Sequence, residues 1–461
     1  MAFLVSSALF GYFWVVGFAV LDLLYRRDDR VRTMLIAPAA GLVITLYGNY
    51  IFSRSGLSIG AIATPFAIVL FVAAVGILGW RRPLLPGRSG VHYFLIMAAS
   101  LVASGWPLFE LGFDWLAHFN PDAGNYILDA HRLFRRPFIE VPDAGEFLRQ
   151  SDWSSQYIYF PAIGARVGTD LVFAWVVAVS GLDETSAYMP LLVALHVAAT
   201  SAATALIGPA YRSARLLSGA LLAVCALSSV GVALQLLGQE QGLACLILSC
   251  VLLLTPFYRL SRGSLARHIF LSGLAGAGFL LSYPELLPFL GLSFLIYHGI
   301  GIKEFRQYWR SALIACVAVG ALVSALVAPD VLGLLRYLFS QASAGAASQR
   351  HPELFPYLLI PNGVAAVWGL RTYAPGGPSL IAPNIAIALG FLLSIFAIFG
   401  AGWMTLRREA CGTVLTVMGI LSAILLFDEA GFGVFKLAMY AQPFLVGTFV
   451  LSLCRVLKVA R

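Results

Sequence analysis

Apolar segments close to bilayer length recur along this chain from end to end. A transmembrane helix needs about 20 predominantly apolar residues. Runs of this kind read at Phe3–Tyr25, Met34–Phe52, Ile59–Trp80, Val91–Phe113, Tyr188–Ile207, Leu216–Leu237, Gly242–Phe257, His268–Ser282, Leu286–Ile302, Ala312–Leu332, Leu380–Trp403, Gly412–Phe427 and Gln442–Leu453. The expected fold is an all-α polytopic membrane protein of about 13 transmembrane helices. Of the 461 residues, 60% are hydrophobic and 11% charged. Soluble domains carry roughly 25% charged residues, so a soluble enzyme and a disordered chain are both excluded. The six Cys lie in apolar runs or at basic edges, and no structural disulfide is expected.

Charge orients the spans. The clusters Arg26/Arg27/Arg30/Arg32, Arg81/Arg82/Arg88, Arg212/Arg215, Arg259/Arg262/Arg267, Lys303/Arg306/Arg310, Arg407/Arg408 and Arg455/Lys458/Arg461 alternate onto one side and hold 20 of the 30 basic residues. The positive-inside rule makes that side cytoplasmic. The net charge of +8 is read as this signal rather than as a nucleic-acid surface, and no nucleic acid is expected as a partner. The expected location is a cytoplasmic (inner) membrane, with the N-terminus outside and the C-terminus inside. The first apolar run has no basic segment before it and reads as a retained span. The alternation holds only if residues 162–181 do not cross. That segment contains Arg166 and Asp170, and it is expected to lie on the outer face as an amphipathic or re-entrant helix.

Acidic residues collect elsewhere. Eleven of the 22 Asp and Glu fall between Glu110 and Glu184. The organisation then reads as three N-terminal spans (1–90), a core (91–332) with a large first outer loop (113–187), a second outer loop (333–379) and C-terminal spans (380–461). Smaller outer turns are Gln239-Glu240-Gln241, Tyr283-Pro284-Glu285 and Asp428–Ala441. The cytoplasmic connections are short and basic and carry no phosphate loop or dinucleotide fingerprint. Any chemistry is expected at the outer membrane–water interface.

The stretch from Trp115 to Phe138 carries the densest chemistry. Asn120-Pro121 starts a helix, with Asn as cap and Pro at the first position, and Pro137 ends it. Asp122, Tyr126 and Asp129 share a face at i, i+4 and i+7, while Ile127, Leu133 and Phe134 are expected against lipid. Asp122 is either a general base, which must reach an acceptor hydroxyl within hydrogen-bond distance, or a cap carboxylate facing the helix dipole.

This stretch resembles the first outer loop of the GT-C glycosyltransferases. The residues that carry the likeness are Pro121-Asp122, Tyr126, Ala130, Leu133 and Phe134 after a span. They are followed by Phe160-Pro161, Val179-Ser-Gly-Leu and Tyr188-Met-Pro190 at the head of the next span. The resemblance covers roughly Val91–Leu237. It implies a GT-C-like core with outer-face juxtamembrane helices and a catalytic Asp122. The family often has a second acid where Ala123 stands, and Asp129 or Asp114 is the candidate for its place. It also implies a polar group from the second outer turn, where Glu240 stands, to bind acceptor or metal.

A lipid phosphate needs cations on the same side. Ten basic residues are outside: Arg54, Arg132, Arg135, Arg136, Arg149, Arg166, Arg336, Arg350, Arg371 and Lys436. Lys436 is a lone cation entering the last apolar run. With Arg350 or Arg371 as the bidentate partner, it is a phosphate ligand; alone, it is a snorkelling anchor. Glu285 breaks an apolar stretch and is a substrate-binding candidate or a tight hairpin. His118, His131 and His351 are too dispersed for zinc, and a divalent cation held by carboxylates stays open as a cofactor. Trp115, Trp153, Tyr157, Tyr159 and Phe160 either stack on sugars or mark the aromatic belt.

The expectation is a membrane glycosyltransferase, inverting by family habit. It would move a sugar from a polyprenyl-phosphate donor to a hydroxyl of a glycan, lipid or protein acceptor, with membrane lipids around it. The alternatives are an O-antigen-type polysaccharide polymerase or ligase and a lipid-linked sugar transporter or flippase.

Overall fold

A bilayer offers backbone amides no water, so a spanning segment has to close its hydrogen bonds internally. The computed structural model describes residues 1–24, 29–83, 87–116, 121–151, 154, 166–225, 228–348, 361–370 and 381–458. Among them there are 21 α-helices and no strands. The principal helices are α1 (Ala2–Leu24), α2 (Arg30–Arg54), α3 (Ile59–Arg81), α4 (Gly87–Gly105), α5 (Pro121–Arg135), α6 (Gly168–Ser180), α7 (Glu184–Thr204), α8 (Arg212–Val224) and α9 (Leu237–Leu253). They continue as α10 (Arg262–Ser282), α11 (Leu287–Ile300), α12 (Trp309–Leu326), α13 (Val331–Ser348), α14 (Pro383–Leu406), α15 (Ala410–Phe427) and α16 (Gly431–Val456). Among the described residues, nine helices are long and apolar enough to cross a membrane: α1, α2, α3, α7, α10, α12, α14, α15 and most of α16. The chain is a polytopic membrane protein. The apolar parts of α4, α6, α9, α11 and α13 are shorter.

Burial sorts the helices into layers. α7 is enclosed: its residues Ala187–Thr204 are all buried, and α1, α2, α4, α6, α8, α9 and α16 pack around it. α3, α12 and α14 instead leave large apolar side chains uncovered, among them Val69, Val72, Ile314, Val317, Ile398 and Phe399. A continuous apolar exterior of this kind suits lipid. α1 and α2 touch through glycines. A Cβ on Gly17 would lie 1.8 Å from the Ala37 carbonyl oxygen, and one on Gly41 would lie 1.9 Å from that of Phe13. Small residues allow this backbone approach.

Ion pairs tie the helix connections together at each end. At one end Asp29 caps α2 and binds Arg215 at 2.6 Å, Glu409 binds Arg455 at 2.7 Å, and Glu304 binds Arg408 at 2.8 Å and Arg259 at 2.6 Å. These are the connections whose basic clusters alternate in the sequence. The other end holds Arg54–Asp330 at 2.9 Å and His131–Glu184 at 2.8 Å. All six cysteines are free thiols.

Four expectations change. Of the two readings of residues 168–180, burial removes the amphipathic surface helix and leaves the re-entrant one, because Gly168–Val177 are buried throughout against α2, α3, α5, α7 and α10. Arg166, whose charge suggested a surface, is taken inside paired with Glu285, and Asp170 is buried with neither carboxyl oxygen hydrogen-bonded. Leu133 is fully buried rather than lipid-facing, since α5 turns it with Ala130 and Tyr126 into the core. Leu216–Leu237 is not one span: α8 ends at Val224, a short helix covers Val230–Ala233, and α9 begins at Leu237. Gln239, Glu240 and Gln241 form no outer turn; they lie in the first turns of α9 and are buried.

Two outcomes follow from this packing. Gly41→Val forces α1 and α2 apart and is expected to cost about 3 kcal/mol or more, the upper end of overpacking, read as a lower melting temperature in detergent. Burial pushes the Asp29 carboxyl up, but hydrogen bonding and charge from Arg215, with help from Arg32, outweigh it and hold it below its usual value. A depressed carboxylate stabilises the fold above its unfolded value of about 3.9. That contribution is lost as pH falls through the lower folded value. Acid unfolding of Asp29→Asn is therefore expected to lack this component of the wild-type curve.

Candidate functional site

Six segments that are distant in sequence meet where α5, the entry to α6, the start of α9, the turn between α10 and α11, α13 and the start of α16 come together. α5 begins at Pro121, and Asp122 stands exposed in its first turn. One turn on, Tyr126 is buried. Its hydroxyl accepts a hydrogen bond from Arg166 Nη2 at 3.4 Å. Arg166 precedes α6. It also pairs with Glu285, donates to the Tyr337 hydroxyl at 2.7 Å and lies 4.3 Å from the Tyr283 ring centre. Tyr337 in turn donates to Glu285 Oε1 at 2.9 Å. Glu285 reaches this place because α10 stops at Ser282 and a short turn, Pro284–Leu286, carries the chain into α11.

The opposite wall is α16. Lys436, half-buried, feels the charges of Arg166, Glu285 and Asp122. One turn along, the Tyr440 ring stands 5.8 Å from that of Tyr283. Glycines on α9 make the room. A Cβ on Gly238 would lie 2.2 Å from the Tyr126 hydroxyl oxygen, and one on Gly242 would lie 2.3 Å from Tyr283 Cβ. The result is two cations, Arg166 and Lys436, set among two carboxylates, Asp122 and Glu285, with tyrosines as walls. Chemically, a guanidinium and an ammonium can hold a phosphate group. An exposed carboxylate can take a proton.

The sequence candidates divide. Asp122, Tyr126, Glu285 and Lys436 come together. Asp129 does not join them: it is fully buried and bonds Arg132 Nε at 2.6 Å, with buried Asp170 acting on the same group. Glu240 sits on another face of α9 from Gly238, buried against His196 at 3.3 Å. Arg350, Arg371, His118, His351, Trp153, Tyr157, Tyr159 and Phe160 lie outside the described residues. Arg135 is exposed, Arg136 pairs with Glu140 and Glu146, and Trp115 is half-buried. Arg166, Tyr283, Tyr337 and Tyr440 are the additions. The signal for Arg166 was the one used for Lys436, a single cation against an apolar helix.

Among the described residues, no three His, Cys, Asp or Glu side chains converge as metal ligands. Asp122 and Glu285 already face two cations, a donor set ill suited to a divalent ion. No family model, curated protein or solved structure matches the chain.

The buried Asp129–Arg132 pair lies one turn beyond Tyr126 on α5, and Asp170, one turn beyond Arg166 on α6, is buried within reach of its charges. Arg132→Met strands the Asp129 carboxylate and is expected to cost about 3–5 kcal/mol, as for other broken buried pairs. Adding Asp129→Asn to that variant is expected to return part of the loss, measured by thermal unfolding of the single and double variants.

Proposed function

We propose that this protein is a membrane glycosyltransferase that takes a sugar from a polyprenyl-phosphate donor and places it on an acceptor hydroxyl. The observation that carries this reading is the meeting of an exposed carboxylate, Asp122, with two cations, Arg166 and Lys436, in a chain of apolar helices. A lipid-linked donor arrives through the bilayer, so its phosphate has to be met by cations close to the membrane. Arg166 offers a planar fork and Lys436 a point charge. Asp122 removes the proton from the acceptor hydroxyl. The hydroxyl oxygen then attacks the anomeric carbon, the bond from that carbon to the phosphate oxygen breaks, and lipid phosphate leaves. The sugar inverts. Tyr126, Tyr283 and Tyr337 position Arg166 and wall the site.

The resemblance around Asp122 supports this chemistry, and the alternation of basic connections supports an outer-face site in a cytoplasmic membrane with the N-terminus outside. The acceptor is a glycan, lipid or protein hydroxyl. An O-antigen-type polymerase or ligase would instead consume pyrophosphate-linked oligosaccharides. A flippase would move the lipid-linked sugar without cleaving it.

One assay separates these. Purified protein in lipid nanodiscs is given a panel of polyprenyl-phosphate sugars, and release of lipid phosphate is followed. Transfer by wild type is expected, with Asp122→Asn lowering kcat by about 10²–10⁴, the usual worth of a general base. Lys436→Met is expected to raise KM for the donor more than it lowers kcat. Undiminished turnover by Asp122→Asn removes Asp122 as base, and transbilayer movement without cleavage removes the enzyme reading.

A further inference from the structure

Glu240 leaves a question that the site at Asp122 does not answer. It is buried to 1% exposure on α9, and its partner His196, at 2%, sits well inside α7. His196 is eight residues beyond Tyr188, about 12 Å along a helix axis at 1.5 Å per residue. His196 Nδ1 lies 3.3 Å from Glu240 Oε2. The other two polar atoms, His196 Nε2 and Glu240 Oε1, have no hydrogen-bond partner. An unmatched buried polar atom costs about 1–3 kcal/mol, and ionisable groups among membrane helices mark ion or proton sites by default. A pair kept only for structure would be closed on itself, and this one is open at both ends.

Three further features surround it. The His196 ring lines a cavity of about 10 Å³ together with Thr200, Ser228 and Gln442. One water needs roughly 10–15 Å³ measured in this way and two or more polar partners. The cavity adjoins the break between α8 and α9, where Ser228 donates to the Leu222 and Cys225 carbonyls. Broken helices are how membrane proteins build ion sites among apolar helices. Gly231 in the short helix of that break leaves room for the carboxylate, since a Cβ there would fall 1.9 Å from Glu240 Oε1.

We propose that His196 and Glu240 form a proton-binding site inside the bundle, served by one water molecule in the adjoining cavity. With Nδ1–H donating to the Glu240 carboxylate, the lone pair of His196 Nε2 is free for a proton. A hydronium in the cavity gives up one proton, its O–H bond breaks, an Nε2–H bond forms, and water remains. The pair then passes from a net charge of −1 to neutral. Of the other titratable groups on elements packed against α7 and α9, His268 on α10 stacks on Phe257 and His298 on α11 meets the Leu253 carbonyl. Tyr188 donates to the Gln235 carbonyl, Tyr126 receives Arg166, Asp170 lies with Asp129 and Arg132, and Cys245 faces Ser282. Tyr93, Asp29, Arg32 and Arg215 gather at the basic end. Tyr440 and Lys436 face Tyr283 and the Arg166–Glu285 pair. This site stands independently of the glycosyltransferase reading.

The test is infrared difference spectroscopy of the full chain in lipid nanodiscs, titrated across about pH 4–9, the range that covers carboxylates and imidazole. One carboxylate band and one imidazole band are expected to change together with a common midpoint. His196→Gln removes the ring band and moves the carboxylate midpoint by at least about one pH unit, the size of a strong pairwise coupling. The paired variant His196→Gln/Glu240→Gln, which keeps volume and hydrogen bonding, loses both bands, while Glu285→Gln keeps them. Gly231→Ala, which presses a methyl group on Oε1, shifts the carboxylate band. The proposal is overturned if wild type shows no coupled pair of bands, or if the pair survives in the double variant.

Discussion

Taking a charge out of water into a helix bundle surrounded by lipid is expensive, and this protein is arranged around that cost. Its long helices are uncovered only on apolar faces. Several charged groups that enter the interior do so with partners: Asp129 with Arg132, His196 with Glu240, Arg166 with Glu285. At the ends the same requirement draws connections from different parts of the chain into shared pairs, as Asp29 does with Arg215 and Glu409 with Arg455. Helix packing through glycines and pairing of interior charges therefore act as one constraint. The close approach of α9 to Tyr126 and Tyr283 lets Arg166 be enclosed by Glu285 and three tyrosines.

The candidate site inherits its character from this. Arg166 is held from several directions, so its fork is oriented before any ligand arrives, which is the condition for binding without a large ordering cost. Two carboxyl groups, Glu285 and Asp122, accompany the two cationic side chains Arg166 and Lys436. An anionic ligand adds to a site whose cations are already aimed. Asp122 differs from the other three charged groups in being exposed, and that exposure is what a group exchanging protons with an acceptor and with water requires.

Much of the fold was legible in the sequence. The apolar runs mark at least part of each of the nine helices long and apolar enough to span, because 20 apolar residues beside an Arg cluster have few other ways to satisfy their backbone. α13 lies instead in the stretch read as the second outer loop. For residues 168–180 the sequence left a surface helix and a re-entrant one open, and burial removes the first. Arg166 and Asp170 look like surface residues when read alone; Arg166 is enclosed through Glu285 in the turn before α11, while Asp170 is buried with both carboxyl oxygens lacking a hydrogen-bond partner. Glu240 was misplaced. A polar triplet between apolar runs reads as a turn, whereas here each member is enclosed within α9, with His196 and Ser282 as partners of Glu240 and Gln241.

The sequence alone determined that the chain is helical, lives in a membrane and carries Asp122 and Tyr126 on one helix, because hydropathy and helical periodicity are local properties. Tertiary structure decided which charges meet. Arg166 and Glu285 are 119 residues apart, and Lys436 is farther still. No spacing rule relates them, since their proximity comes from how α5, α6, α9 and α16 pack around α7 and from where the turn between α10 and α11 falls. Interaction between charges depends on distance through space, and that distance is set only when the helices close on one another.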